Sequence, residues 1–221
     1  MAIFIENDEI VPKYPKIQTV YKRDPDNNYR TLLIGEYSLP EIEYLAHNEW
    51  LWTEKIDGTN IRVYWDGVRV WLGGRTERSQ IPPFLVNSLE ELFPTEKFRQ
   101  IYPDTEMVLY GEGYGNKIQK VGNSYIKDDT NFILFDVLIG GYWLEREDIE
   151  DVAHQLEINF VPIRGRGSIN DAIEMVRNGF SSWTSHDHDL IAEGLIMFPS
   201  EQLFNRHGSR IITKIKYKDF E

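Results

Sequence analysis

The chain has 221 residues, and 24 Lys and Arg against 36 Asp and Glu leave a net charge of −12. Its 41% hydrophobic and 13% aromatic content can bury enough apolar area to offset chain entropy, which excludes a disordered chain. It has no cysteine, which excludes disulfide scaffolds, thiol nucleophiles and cysteine-held zinc or iron–sulfur sites. The acidic balance argues against a generic nucleic-acid coat, but not against a local basic groove. The amino terminus is acidic and lacks the basic region of a secretory signal. The longest apolar run, Phe132–Leu144, holds Asp136 and two glycines and is too short for the about 20 residues that span a bilayer. A cytoplasmic protein without a membrane partner is expected.

In chain order, Glu49–Ile56 reads as a strand. Asn60–Trp65 and Val68–Leu72 alternate around Asp66-Gly67, which predicts a hairpin with a type I′ turn. Ser88–Phe93 reads as a short helix with an N-cap serine, stopped by Pro94. Met107–Tyr110 and Phe132–Ile139 are apolar and β-rich, and Gly140-Gly141 turns the second into Tyr142–Leu144. Glu147–Leu156 places Ile149, Val152, Ala153 and Leu156 on one helical face. Ile158–Ile163 reads as a strand, and Ser168 with Asp171 opens a second helix that ends near Gly179. Ile191, Gly194–Phe198 and Ile211–Tyr217 close the chain with strands. Strands dominate without regular βαβ alternation, so the fold class is α+β with mainly antiparallel sheets. No linker-like stretch divides the sequence, and one domain over 1–221 is expected.

Several chemistries are absent: there is no P-loop, no H-E-x-x-H and no G-x-S-x-G. Lys55-Ile56-Asp57-Gly58 stands at the end of a strand. A lysine nucleophile needs its neutral amine, which burial and nearby cations favour. If the strand continued, Asp57 would lie on the same side as Lys55, placed to hold a metal, and Gly58 would let the backbone approach a ligand. By chance K-x-D-G occurs in roughly one chain of this size in twenty, so the tetrapeptide decides nothing alone.

It has company. Gly73-Gly74-Arg75-Thr76, Leu109–Gly113 with Glu112, Phe132–Val137 with Phe135 and Asp136, Glu193-Gly194-Leu195, and Lys214-Ile215-Lys216 follow in that order. This series resembles the covalent nucleotidyltransferase superfamily of polynucleotide ligases and mRNA capping enzymes. Thr53–Asn60, the arginine twenty residues after the lysine, and Tyr110–Gln119 are most similar to the ATP-dependent RNA ligases, near the phage nick-sealing enzymes. The resemblance runs from about Trp50 to Phe220.

It implies a single ligase adenylation domain with antiparallel sheets around a nucleotide cleft, and residues 1–49 are expected to form an extension packed on it. The chain departs from DNA ligases, capping enzymes and the larger RNA ligases in that no C-terminal OB-fold or helical domain is expected. Lys55 would attack ATP and become lysyl-AMP, pass AMP to a 5′-phosphate, and a 3′-hydroxyl would displace it. Such in-line displacements rest on positioning and charge neutralisation. The resemblance implies that Glu54, Ile56, Asn60, Arg75, Glu112, Phe135, Glu193, Lys214 and Lys216 contact the nucleotide. Lys55, Glu193, Lys214 and Lys216 would be catalytic. Asp57, Glu112 and Glu193 would hold Mg²⁺ or Mn²⁺. Phe135 would stack on adenine above Asp136, with plain core packing as its alternative. The expected partners are RNA ends or a nicked duplex, DNA strands being possible, in RNA repair. The alternatives are a DNA-ligase-like or capping-like core, or a non-catalytic nucleotide- or nucleic-acid-binding module.

Other features have bland readings beside functional ones. His186-Asp-His-Asp189 is either a metal pair or a polar loop. Arg164-Gly-Arg-Gly-Ser168 is either an anion site or a capped turn. Trp65 and Trp71 are either core or a base-stacking surface. Lys218 shares the strand phase of Lys214 and Lys216. A polyanion substrate further predicts a basic cleft drawn from Lys117, Lys120, Lys127, Arg206, Arg210 and Lys218.

Overall fold

The structure, a computed structural model, describes residues 2–221. The first strands are β1 (Gln18–Thr19), β2 (Tyr21–Arg23) and β3 (Leu32–Tyr37), followed by helix α1 (Pro40–Leu45). Then come β4 (Trp50–Glu54), β5 (Thr59–Trp65), β6 (Val70–Gly73), α2 (Pro83–Leu92), α3 (Thr95–Ile101) and β7 (Met107–Gly115). The middle of the chain holds α4 (Gly122–Tyr125), β8 (Thr130–Ile139), β9 (Tyr142–Trp143), α5 (Arg146–Gln155) and β10 (Asn159–Phe160). The last elements are β11 (Ile163–Gly167), α6 (Ile169–Asn178), β12 (Gly194–Pro199), β13 (Thr213–Lys216) and a 3₁₀ turn (Tyr217–Asp219). The chain is α+β with mostly antiparallel pairing, as its sequence predicts.

These elements divide into two compact units. The first comprises the described part of Met1–Pro15 with Asp57–Val161; the second comprises Lys16–Ile56 and Pro162–Glu221.

The first unit is a sheet of order β10-β8-β7-β5-β6, with β9 on β8. Period-two alternation sends Ile61, Val63 and Trp65 of β5 to one face. There they meet Leu109, Phe132 and Leu134 under Leu85 and Leu89 of α2, Phe98 of α3 and Ile149 and Val152 of α5. Tyr110 pairs with Asp136 and Gly111 with Leu134, so Phe135 is the extra residue of a β-bulge. Alternation puts Phe135 on the opposite face, and the phase shift beyond the bulge brings Leu138 there too, among Ile5, Val11, Val108 and Tyr110. Arg62 is wholly buried there, ion-paired to Asp8 at 2.8 Å and bonded to the carbonyls of Val11 and Gly74.

The second unit is a sheet of order β1-β13-β12-β4-β11 beside the β2-β3 hairpin. Its core joins Trp50, Trp52, Leu195, Met197 and Ile215 to Ile169, Ala172, Ile173 and Val176 of α6. The expected capping box is present: Ser168 Oγ accepts the Asp171 N–H, and the Asp171 carboxylate accepts the Ser168 N–H at 2.7 Å.

Several boundaries differ from the sequence expectations. β6 begins at Val70, so the hairpin loop spans residues 66–69 and is not the two-residue type I′ turn. Gly67 alone in that loop has positive φ, and Asp66 Oδ1 accepts the N–H groups of Val68 and Arg69. Ser88 is no N-cap: it sits inside α2 and its hydroxyl donates to the Phe84 carbonyl. Ile158–Ile163 is two strands, because the chain leaves the first unit after Val161. Lys218 leaves the β13 phase because the chain turns into the 3₁₀ helix at Tyr217.

Candidate active site

Three neighbouring strands of the second unit build a charged cluster. β12 pairs with β4 on one side and β13 on the other, and Leu195 lies opposite both Glu54 and Ile215. That register brings Lys55, just past β4, and Lys216, the last residue of β13, to the level of Gly194. The Lys55 N–H donates to the Gly194 carbonyl at 2.9 Å, and the Tyr217 N–H to the Glu193 carbonyl at 2.9 Å. Gly194 has φ +150°, and a Cβ there would come within 2.1 Å of the Ile215 carbonyl oxygen, so only glycine lets the strands meet at this point.

Glu193 bridges two cations. Lys55 Nζ donates to its Oε2 at 2.6 Å and Lys216 Nζ to its Oε1 at 2.5 Å, with all three side chains mostly shielded from solvent. Burial alone would raise the Glu193 carboxyl, but the Lys55 and Lys216 ammoniums outweigh it and hold the group below the usual range. Lys214 shares the face of Lys216 on β13. Burial, followed by the charges of Lys216 and Lys55, pulls its ammonium down to about 8. The arrangement is a lysine nucleophile candidate aligned by a carboxylate and flanked by two cations.

Glu54 is almost fully buried, and its carboxylate is taken up by a turn: it accepts the Ser182 hydroxyl, the Trp183 N–H at 2.8 Å and the Thr184 hydroxyl. Burial pushes this carboxyl up against those hydrogen bonds. Ile56 is buried and ends the second unit. Arg164-Gly-Arg-Gly-Ser168 has the geometry of a capped turn. A Cβ on Gly165 would meet the Trp52 indole at 2.4 Å, so its glycine makes room for a ring, and Ser168 is spent on the cap.

The remaining candidates lie in the first unit. β4 stops at Glu54, so strand alternation does not carry Asp57 to the side of Lys55. The Asp57 N–H donates to the Tyr125 hydroxyl, and the Gln119 amide donates to the Gly58 carbonyl at 2.9 Å. Neither holder of this turn carries a local sequence signal. A Cβ on Gly58 would lie 2.4 Å from the Gly113 oxygen, so this glycine serves a close approach to β7. Asn60 and Glu112 are cross-strand partners on one face of the sheet. Among the described residues nothing donates a hydrogen bond to the buried Asn60 Oδ1, an acceptor left open to a ligand. Arg75 is exposed just beyond β6. Phe135 is half-buried and meets Tyr14 edge-on at 4.9 Å, in an aromatic cluster where Asp136 accepts the Tyr14 hydroxyl. Trp65 is buried with its N–H on the Tyr102 carbonyl, whereas Trp71 is half-buried, tied to Asp66, and carries the Arg69 guanidinium over its ring at 4.9 Å.

Among the described residues no group of three or more His, Cys, Asp or Glu is gathered to hold a metal, and His186 and His188 lie in a polar loop. No helix among them is long and apolar enough to cross a membrane.

A sequence profile of the family described as RNA ligase matches residues 48–216. The chain belongs to the RNA ligase family. A comparison with curated proteins found no match. Among solved structures the chain is similar to Naegleria gruberi RNA ligase. A lysine-to-alanine variant with ATP and Mn gives a TM-score of 0.64 at 18% identity over 99% of this chain and 61% of that one. The enzyme with PPi gives 0.64 at 17% identity over 98% and 59%. An apo aspartate-to-alanine variant gives 0.63 at 18% identity over 94% and 58%. This RNA ligase family member thus shares their fold and spans about three fifths of their length.

Proposed function

We propose that this chain is an ATP-dependent RNA ligase that joins 5′-phosphate and 3′-hydroxyl ends through lysyl-AMP and a 5′-adenylylated strand. The observation that carries the reading is the Lys55–Glu193–Lys216 bridge at one end of three adjacent strands, with Lys214 beside it. The family match spans residues of both units, which supports reading them together as one adenylyltransferase domain, with 1–49 as its extension. Relatives of this fold solved with ATP, AMP and Mn support ATP as donor and a divalent metal.

In the first step the Lys55 ammonium gives one proton to solvent, the neutral Nζ bonds to the α-phosphorus as the bond to pyrophosphate breaks, and a second proton leaves the new N–P nitrogen for solvent. Glu193 aligns the amine; Lys214 and Lys216 stabilise charge growing on the α-phosphate oxygens. AMP then passes to the 5′-phosphate, and attack by a 3′-hydroxyl releases it. Asn60 would take a donor from the nucleotide and Arg75 would fork onto its oxygens. Phe135, half-buried against Tyr14, would meet adenine with what its packing leaves exposed. Glu54 would act through its turn, by fixing the strand before the nucleophile.

Ionised Glu193 is a hard oxygen ligand, and Mg²⁺ or Mn²⁺ takes one or two carboxylates while keeping waters. Glu193 in the second unit, and Asp57 and Glu112 in the first, are the carboxylates that would hold such an ion. When bound, it supplies charge neutralisation on the triphosphate. RNA repair in the cytoplasm is the setting we propose.

The test is covalent labelling. Incubation with α-labelled ATP and Mg²⁺ leaves AMP on the protein, in a phosphoramidate bond that breaks in acid and survives alkali. Lys55→Ala removes the label and keeps the fold by circular dichroism. Equal labelling of that variant overturns the reading, and labelling by GTP in place of ATP redirects it to a capping-type core.

A further inference from the structure

The chain carries twelve more acidic than basic residues, yet its cations are unevenly spread. A cavity of about 960 Å³ lies within the second unit beside β13. β13 and the turn after it contribute Lys214, Lys216 and Lys218 to its lining. The segment before β1 and the β2–β3 hairpin contribute Lys16, Lys22, Arg23 and Arg30. The one carboxylate in the lining is Asp219, already bound to Arg23 at 2.7 Å and to the Lys216 N–H at 3.1 Å. Lys16, Lys22 and Arg30 are exposed. Among the described residues, Lys22 alone of these three has a carboxylate within reach, Glu36 at 3.4 Å on the surface. A cavity with this surplus attracts a polyanion.

The hairpin loop also presents an aromatic. Asn28 and Tyr29 both have left-handed φ, 50° and 59°, and Tyr29 is 64% exposed. Tyrosine seldom adopts that backbone, so the loop must be held. The Tyr29 N–H donates to the Asp24 carbonyl at 2.8 Å. Arg23 does the rest: one nitrogen faces the carbonyls of Tyr29 and Arg30, and another binds Asp219. Arg23 is thus a positioning residue that ties the loop to the end of β13. A positive groove with an outward aromatic is how single strands are gripped, phosphates on the cations and a base on the ring.

We propose that this cavity holds the phosphate backbone of a single-stranded RNA end, with Tyr29 as a platform for one of its bases. The proposal rests on the ligase reading above and names where that ligase holds its strand. Lys214 and Lys216 belong to both sites, so the strand enters where its 5′-phosphate meets the adenylate. A pyrophosphate group is the competing occupant; it calls for convergent cations alone and gives exposed Tyr29 no role.

The experiment uses the full chain and a 5′-phosphorylated RNA oligomer with a fluorescent 3′ label, read by anisotropy across a salt series, alongside lysine labelling with ATP. Lys22→Ala with Arg30→Ala weakens RNA binding at least tenfold. It also flattens the plot of log K against log salt by about 1.4, two phosphate contacts at roughly 0.7 each on a single strand. Tyr29→Ala weakens binding about tenfold with the salt slope unchanged, and Tyr29→Phe restores it. All these variants adenylylate Lys55 at the wild-type rate with the wild-type dependence on ATP. Unchanged RNA binding in the variants overturns the cavity proposal, and so does a raised KM for ATP in labelling, which assigns the cations to the triphosphate. If wild-type protein takes no AMP at Lys55, the ligase reading fails instead, and the anisotropy still decides whether the cavity binds RNA.

Discussion

The two units hold their candidate site residues in opposite ways. In the second, Lys55, Glu193 and Lys216 hold one another: two cations share one carboxylate at 2.6 and 2.5 Å. In the first, packing fixes the backbone, while Asn60 Oδ1 accepts no hydrogen bond from the described residues and Arg75 stands exposed. Charges that act on a phosphoryl group must be in place before it arrives, since reorganising them during the reaction would add to the barrier. Groups that recognise a nucleoside can wait, because the ligand supplies the missing bond. The contrast predicts that changes in the charged cluster damage rate, and changes in the sheet unit damage stability or affinity.

The largest effect is expected for Glu193→Gln. The neutral amide leaves Lys55 and Lys216 without a counterion and close to one another. Lysine adenylylation should fall by more than a hundredfold, and stability by about 1–3 kcal/mol for a broken, mostly shielded pair. Single-turnover labelling and thermal unfolding read the two. Labelling at wild-type speed would remove Glu193 from the mechanism. Lys216→Ala comes next, at on the order of 3 kcal/mol in barrier height, roughly a hundredfold in rate. Its nucleotide affinity should change less than its rate, as expected for a cation aimed at the transition state.

Gly58→Ala tests the other side of the contrast. Its Cβ would press on the Gly113 carbonyl oxygen from 2.4 Å, and backbone cannot swing away as a flexible side chain can. We expect a loss of about 1–3 kcal/mol in unfolding free energy. Asn60→Ala should do the reverse. It removes a buried acceptor that no described residue satisfies, so stability should hold within about 0.5 kcal/mol or rise. Nucleotide affinity, read by calorimetry, should fall about tenfold. A destabilised Asn60→Ala protein would show that Asn60 has a structural role after all.

Most local features were legible in the sequence, the Ser88 cap and the length of the hairpin loop excepted, and distant ones were not. The Asp66-Gly67 hairpin, the Ser168–Asp171 capping box and the Gly140-Gly141 turn are written within a few residues, where propensity and periodicity act. β1 is two residues long and pairs Gln18 with Thr213, so no pattern within residues 16–23 could announce it. The same holds in the site. The lysine series was readable because strand alternation and motif order both mark it. The saturation of Glu54 by Ser182 and Thr184, about 130 positions on, was not. The basic cavity escaped for a related reason. Its cations come from residues 16–30 and 214–218, two segments with no shared motif. Of the cations expected to form a basic cleft, Lys218 alone lines it.

The smallest effect is a pH dependence, and it probes the preassembled cluster most directly. Burial, then Lys216 and Lys55, lower the Lys214 ammonium to about 8, with Glu193 opposing and Arg23 adding to the fall. In the unfolded chain the group titrates near 10.5. Between those values the unfolded state binds more protons, so stability rises with pH across the window and the cost of charged Lys214 is fully present below about 8. Lys214→Met should therefore stabilise the protein at neutral pH, by an amount that shrinks as pH climbs past 8. Nucleotide binding should move the other way. A triphosphate favours charged Lys214, so the dissociation constant should weaken a few-fold as pH rises from about 7 to 9 at constant Mg²⁺. The difference between wild type and Lys214→Met isolates this residue from Lys55 and Lys216, which face the same ligand. A wild-type constant flat across that range would mean that Lys214 stays fully charged, and that its neighbours' charges are better screened than their burial suggests.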